Sequence, residues 1–153
     1  MTARRPVARP AHRRHLEAQR AWIVFGGRAD HPWQRLLRRG FRHCFAALED
    51  ACGWTVLDPL TGRLLAARLD VPPGFDLPGF YRRAGLLPVG PFPLDEPARG
   101  AGLRGVPFSC VAVCRAALGP HAPFALTPHG LFRALLRGQE NRKKFLTIPL
   151  IPT

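Results

Sequence analysis

A cysteine at the predicted start of a helix is the residue of the chain with the clearest chemical potential. Cys110 follows Ser109, a preferred helix N-cap, and Gly119 ends the apolar run, which predicts a helix over 110–118. The free N–H groups and the dipole at a helix N-terminus lower a thiol pKa and favour the nucleophilic thiolate. The same N–H groups could stabilise an oxyanion. The alternative is that Cys110 is a small buried apolar residue, a role that Cys114 fits better.

A thiol nucleophile needs a base within hydrogen-bond reach, and His43 is the strongest candidate among six histidines. It lies within FRHCFAAL, where alternating residues predict a strand over 41–48 and set the imidazole among apolar neighbours. A polar ring in that setting is either satisfied structurally or used in chemistry. Because a helix-start cysteine is also present, we favour the catalytic interpretation.

A third polar group would orient the imidazole and hold its tautomer, and Asp58 is the best candidate. Asp58 ends the next predicted strand, 54–58, so an antiparallel hairpin places it adjacent or diagonal to His43. An aspartate before a proline is also common turn chemistry, which is the structural alternative. Weaker candidates for the same role are His129 and Glu49.

Short loops join the segments that carry these residues. Turn residues and alternation predict strands over 21–27, 41–48, 54–58, 63–69 and 86–90. Caps and apolar spacing predict helices over 31–38, 77–84, 110–118 and 128–137, the last ended by Gly138. We therefore predict an α+β fold with a central antiparallel sheet of four to five strands and helices packed on it.

The length and apolar content of the chain suit one domain, with 153 residues of which 46% are hydrophobic. We divide it into a basic flexible arm (1–20), an α+β domain (21–138) and a basic and apolar C-terminal tail (139–153). Uncharged apolar runs fall short of the ~18 residues of a membrane helix. No apolar segment follows the basic N-terminus as in a secretion signal, so we expect a cytoplasmic protein with reduced thiols.

The chain carries a net charge of +13, which suggests an anionic partner such as nucleic acid or a cell-wall polymer. Only two of its 23 basic residues, Lys143 and Lys144, are lysines. Arginine enriched together with alanine, glycine and proline is also what a GC-rich genome produces. The charge alone therefore does not identify the partner.

The cysteine spacing does not match a structural zinc site. Seven residues separate Cys44 from Cys52, and three separate Cys110 from Cys114. Zinc ligands usually come in pairs with two to four intervening residues on both sides. We expect neither a metal nor an organic cofactor.

The order of the candidate residues resembles that of the circularly permuted papain-like proteins, which group with NlpC-type amidases and lecithin–retinol acyltransferase. A histidine lies in FRHCF, an aspartate follows in VLDPL, and a later cysteine opens a helix in PFSCVAVCRAALG. In the permuted branch the histidine precedes the cysteine, as here. The stretch from His43 to Pro128 also looks like small phage- and provirus-encoded proteins of alphaproteobacteria, and the resemblance covers about residues 20–137. Two departures are Val111 after the cysteine, where a small or hydroxyl residue is frequent, and Cys44 after the histidine, where a small or aliphatic residue is frequent.

The resemblance implies that Cys110 is the nucleophile, His43 the general base and acid, and Asp58 the orienting group. The implied activity is that of a cysteine hydrolase or acyltransferase, such as a phage-derived cell-wall peptidase, acting through an acyl-enzyme without a cofactor. The alternative function is a non-catalytic basic module that binds nucleic acid or packs in a phage particle. The basic segments 4–20 and 137–144 carry that alternative.

Overall fold

The computed structural model describes residues 19–27, 32–60, 63–94, 108–120 and 122–146, and an antiparallel sheet forms its centre. Its strands are β1 (Arg20–Gly26), β2 (His43–Asp50), β3 (Gly53–Leu60), β4 (Arg63–Arg68) and β5 (Leu87–Pro93). In the described part of the chain these five strands form one sheet in the order β4-β3-β2-β1-β5. The predicted α+β class and antiparallel sheet are confirmed.

Three α-helices, each beginning after a capping side chain, join the sheet in the described ranges. They are α1 (Leu77–Arg83), α2 (Cys110–Leu118) and α3 (Pro128–Leu146). The side chains of Asp76, Ser109 and Thr127 accept a hydrogen bond from the third residue of each helix, at 2.8, 3.1 and 3.1 Å respectively. These bonds satisfy N–H groups that a helix start leaves without a partner, so the predicted start of each helix is correct to within one residue.

Two predicted helix boundaries differ from the structure. The segment predicted as a helix over 31–38 contains a short 3₁₀ helix, Pro32–Leu36, within the described residues. Gly138 does not end the last helix, since α3 continues to Leu146. Glycine inside a helix costs about 1 kcal/mol relative to alanine, which tertiary packing readily outweighs. The helix therefore extends into the predicted tail.

Apolar side chains fill both faces of the sheet. On the first face, Ile23, Phe25 and Cys44 of the sheet pack against Cys114 of α2 and Leu131 of α3, and all five are fully buried. On the second face, Ala47, Trp54 and Val56 of the sheet pack against Leu77 of α1. Neighbouring residues of β2 alternate between these two cores, which is why the strand contains few charged residues.

The β2–β3 hairpin is closed at its turn and open at its other end. Pairing begins at Asp50 and Gly53, on either side of a two-residue turn, and ends at Ala46 and Leu57. Beyond that point β2 continues along β1 as far as His43, and β3 continues along β4 as far as Leu60. We call the gap between residues 43–45 and residues 58–60 the fork.

Pro59 explains why the ladder stops where it does. Hydrogen-bonded pairs alternate along an antiparallel ladder, and Asp50 and Gly53 form such a pair because they close a two-residue turn. The next such pair after Ala46 and Leu57 would be Cys44 and Pro59, but proline has no N–H to donate. Toward β4, Pro59 stands opposite Leu64 in a non-hydrogen-bonded pair, so that ladder continues.

The described residues include parts of all three predicted segments. Residues 1–18 of the predicted arm lie outside them, as do residues 147–153 of the predicted tail. Residues 139–146 form the last turns of α3. In the part of the chain that the structure describes, no helix is long and apolar enough to cross a membrane.

Candidate functional site

His43 and Asp58 face each other across the fork. The Nε2 atom of His43 lies 2.7 Å from Oδ1 of Asp58, and the imidazole side chain is 10% exposed. His43 begins β2, and its ring stacks on Phe45 with centroids 6.4 Å apart. The predicted hairpin is therefore present, and the aspartate lies diagonal to the histidine.

Cys110 of α2 also lies next to His43. It is the first residue of α2, and its thiol forms side-chain hydrogen bonds with His43 and with Cys44. Because Nε2 of His43 is against Asp58, Nδ1 is the ring nitrogen that remains for the thiol. The structure thus brings together all three residues that the sequence analysis selected.

The fork makes this meeting possible. Alternation along β2 directs Cys44 to the face covered by α2, whereas His43 follows the pattern of Phe45 on the other face. A continuous ladder would separate the thiol of Cys110 from the imidazole by the thickness of the sheet. The backbone N–H of Cys44, which that ladder would direct at Pro59, instead donates a hydrogen bond to the sulfur of Cys110.

The imidazole of His43 binds its proton tightly. Burial, the largest single influence, lowers the pKa of His43, but Asp58 and the hydrogen bond with Cys110 together raise it to about 9. At neutral pH the ring is therefore an imidazolium that donates to Asp58. It becomes a base only after it loses that proton.

The thiol of Cys110 is protonated at rest. Its hydrogen bond with Cys44 and its burial raise the pKa of Cys110 above the ordinary value. Hydrogen bonds from His43 and from the Cys44 N–H lower it, but by less. The prediction that the helix start alone lowers this pKa is wrong, because a second thiol and the apolar core act in the opposite direction.

Two other residues considered for the orienting role lie elsewhere. Glu49 pairs with Arg20 at 3.0 Å at the other end of β2. His129, in the first turn of α3, lies 3.0 Å from Arg38. In the described residues, Asp58 is the carboxylate that contacts His43.

Cys44 is the site residue that the sequence analysis missed. It is fully buried and contacts Cys110 and Cys114 through its thiol. The sequence shows that Cys44 follows His43. Its contact with Cys110, however, depends on the unpaired backbone that Pro59 leaves in β2. Cys52, by contrast, is exposed in the β2–β3 turn.

Within the described ranges, no group of three or more His, Cys, Asp or Glu side chains is arranged to hold a metal ion. Comparison with known proteins returned no matching family model, no matching curated protein and no matching solved structure. A functional assignment therefore depends on the geometry of Cys110, His43 and Asp58.

Proposed function

We propose that the chain is a cysteine hydrolase or acyltransferase that cleaves an amide or ester bond through an acyl-enzyme on Cys110. One observation carries this proposal: a single imidazole contacts a carboxylate with one nitrogen and also hydrogen-bonds the thiol at a helix start. A carboxylate on one ring nitrogen and a thiol on the other are the contacts that an orienting group, a base and a nucleophile need.

The first half of the reaction forms the acyl-enzyme. Neutral His43 takes the proton of Cys110, and the sulfur attacks the substrate carbonyl to form a C–S bond and an oxyanion. Ala112 and Val113 donate their N–H groups to Ser109, so the N–H groups of Cys110 and Val111 are the helix-start donors for the oxyanion. The imidazolium of His43 then gives its proton to the leaving amine or alcohol as that bond breaks.

The second half releases the acyl group. Neutral His43 takes a proton from water, or from an acceptor alcohol or amine, which attacks the thioester carbonyl. The C–S bond breaks and the sulfur recovers a proton from the imidazolium. Asp58 stabilises the imidazolium in both halves and keeps the ring oriented.

A cell-wall peptide is the substrate class that suits this chain best, as for a phage-derived peptidase. The chain carries a net charge of +13, which favours association with an anionic polymer. The chemistry needs a reduced nucleophile, and the four described cysteines are free thiols. We propose a cytoplasmic site of action or synthesis, where thiols stay reduced.

An activated ester, p-nitrophenyl acetate, tests the proposed chemistry. We expect peptide mass mapping to find an acetyl group on Cys110, formed faster as the pH approaches 9. A Cys52→Ala background removes the exposed thiol that would react independently of the site. Acetylation confined to other residues, or equally fast acetylation of Cys110 in a His43→Ala variant, would overturn the proposal.

A non-catalytic anion-binding module is the second candidate, and one surface cluster favours it. Arg38 lies against His129, and burial together with the charges of Arg38 and Arg133 lowers the pKa of His129. Among the described residues, the carboxylates in ion pairs are Glu49, Asp50 and Asp58, so none pairs with these arginines.

The anion-binding candidate predicts DNA binding that weakens steeply with salt, since bound counterions are released. A double Arg38→Gln, Arg133→Gln variant should bind less tightly and show a shallower salt dependence than the wild type. Binding that is unchanged in this variant, or absent at low salt, would exclude the described cluster as a nucleic-acid surface.

A further inference from the structure

Three thiols lie in a chain of direct contacts from the site into the core. Cys44 and Cys114 belong to one buried core cluster, and Cys110 packs against it, with Cys110 next to Cys44 and Cys44 next to Cys114. Cys44 and Cys114 are fully buried, whereas Cys110 is partly exposed. The proposed reaction uses one of the three, so the other two have no assigned role.

Cys44 is the thiol placed to react with an oxidised Cys110. It contacts Cys110 twice, through its thiol and through its backbone N–H. Cys114 stands one helical turn behind Cys110 on α2 and contacts Cys44. A Cys44–Cys110 bond would join β2 to the first residue of α2, where a side-chain rotation disturbs at most one helix end.

The thiols of Cys110 and Cys44 also differ in their access to an oxidant in solution. Cys110 hydrogen-bonds a base, His43, and is accessible from solvent. Contact with Cys110 lowers the pKa of Cys44, but contact with Cys114 and burial raise it well above its ordinary value. Cys44 thus stays a buried thiol until a sulfur electrophile forms beside it.

We propose that Cys44 is a resolving cysteine, so that a peroxide converts the Cys110–Cys44 pair into a disulfide that reversibly closes the site. Neutral His43 accepts the proton of Cys110, and the sulfur attacks one oxygen of hydrogen peroxide. The O–O bond breaks, Cys110 becomes a sulfenic acid, and the hydroxide that is released takes the proton from the His43 imidazolium and leaves as water. Cys44 then attacks that sulfur, the S–S bond forms, and the sulfenic oxygen leaves as a second water.

The overall change is balanced by the oxidant. Two thiols lose two electrons and two protons, and one hydrogen peroxide becomes two waters. A dithiol reductant restores both thiols by exchange at the disulfide. The consequence for activity depends on the proposed hydrolase function, whereas formation of the disulfide does not.

The experiment treats the full chain, in the Cys52→Ala background, with one equivalent of hydrogen peroxide and maps its peptides without reduction. We expect a Cys44–Cys110 linked peptide, with Cys114 still a free thiol. Acetylation of Cys110 by p-nitrophenyl acetate should fall at least about tenfold and recover after dithiothreitol. A link from Cys114 to either residue, or Cys110 carrying two or three oxygens while Cys44 stays reduced, would overturn the proposal.

Two variants sharpen the result. In Cys44→Ala an excess of hydrogen peroxide, at least three equivalents, should drive Cys110 to its sulfinic and sulfonic acids, and activity should not recover with dithiothreitol. Cys114→Ala is the matched control, in which the Cys44–Cys110 link should form as in the wild type. If the disulfide forms but an acetyl-enzyme does not, the hydrolase proposal is wrong and the resolving-cysteine proposal holds. If an acetyl-enzyme forms but the disulfide does not, the resolving-cysteine proposal is wrong and the hydrolase proposal holds.

Discussion

The β2–β3 hairpin has a carboxylate–cation pair at each end, and the two pairs are built differently. At the closed end Asp50 accepts hydrogen bonds from Arg68 at 2.5 and 2.9 Å, and from the N–H of Cys52 at 2.7 Å. At the fork Asp58 contacts His43 at 2.7 Å. The β2–β3 ladder is paired next to the Asp50–Arg68 pair, and it is interrupted next to the Asp58–His43 pair.

The two ends of the hairpin differ in the cation, which is Arg68 or His43, and in whether the neighbouring backbone of β2 and β3 is paired. Arginine keeps its charge at every accessible pH, so Arg68 can only hold Asp50 in place, and it lowers the pKa of that carboxyl. The histidine at the fork titrates, with a pKa of about 9, and hydrogen-bonds a thiol. An ion pair becomes a candidate catalytic unit where its cation can give up a proton and the backbone leaves room for a nucleophile.

Removing the thiol at each end should produce the largest contrast. Cys110→Ala should lower the rate of acetyl-enzyme formation by at least about 10³-fold, because the neighbouring thiol of Cys44 is fully buried and out of reach of the ester. Cys52→Ala, at the closed end, should leave the Cys110 rate unchanged. Circular dichroism of both variants checks the fold. Equal rates in the wild type and Cys110→Ala would exclude the fork as a reaction centre.

The two pairs should lose their contributions to stability at opposite ends of the pH range. The folded pKa of His43 is about 9 and its ordinary value is 6.5, so its contribution is complete below pH 6.5 and is lost as the pH rises through 9. This amounts to about 3 kcal/mol of unfolding free energy at ~1.4 kcal/mol per pH unit. The lowered pKa of Asp50 acts oppositely, with its contribution lost in acid below its ordinary value of 3.8.

Urea unfolding at several pH values measures both effects. Asp58→Asn should flatten the decline between pH 6.5 and 9, and Asp50→Asn should not. A wild-type unfolding free energy that stays constant over this interval would show that His43 is not held protonated by the fold.

Exchanging each carboxylate for its amide separates orientation from charge. Asp58→Asn removes the hydrogen-bonded charge that most raises the pKa of His43, so the midpoint of the acetylation rate should move at least about one unit below 9. The maximal rate should fall by about 10²-fold, since the amide stabilises the imidazolium poorly. Asp50→Asn is the matched control, with an unchanged midpoint. An unshifted midpoint in Asp58→Asn would mean that another group sets the pH dependence.

Local sequence signals were enough to predict most of the fold and the proximity of Cys110, His43 and Asp58. Turn residues and alternation located all five strands, and the Ser109 cap set the start of α2 at Cys110. A turn predicted over 49–53 was enough to bring Asp58 toward His43, and in the structure that turn is narrowed to residues 51–52. These features depend on residues that are close together in the chain, so they can be predicted from the sequence alone.

What could not be predicted depends on contacts between distant segments. Pro59 was expected to end its strand, but β3 continues to Leu60 because the missing N–H faces β2 and not β4. The raised pKa of Cys110 depends on Cys44, which lies 66 positions earlier and meets it only after α2 packs on the sheet. Neither consequence follows from a motif or from spacing.

The smallest effect we expect comes from restoring the missing ladder donor. Pro59→Ala supplies an N–H that can bond the carbonyl of Cys44 and draw the two strands together, as at the closed end. The Cys44 N–H would then pair with residue 59 and leave the sulfur of Cys110, so acetylation should slow by about tenfold, the value of one backbone hydrogen bond of about 1–1.5 kcal/mol. The unfolding free energy should change by less than about 1 kcal/mol, because the new bond offsets the added freedom of the unfolded chain.

Amide hydrogen exchange of Cys44 distinguishes this cause from a general loss of structure. In Pro59→Ala that amide should exchange more slowly than in the wild type, since a ladder bond to oxygen protects an N–H better than a bond to sulfur. Pro73→Ala, in the exposed turn before α1, adds the same freedom to the unfolded chain and should leave both the exchange and the rate unchanged. Faster exchange at Cys44 in Pro59→Ala, or an undiminished rate, would show that the fork stays open for a reason other than the missing N–H, because closing the ladder is the step by which this substitution acts.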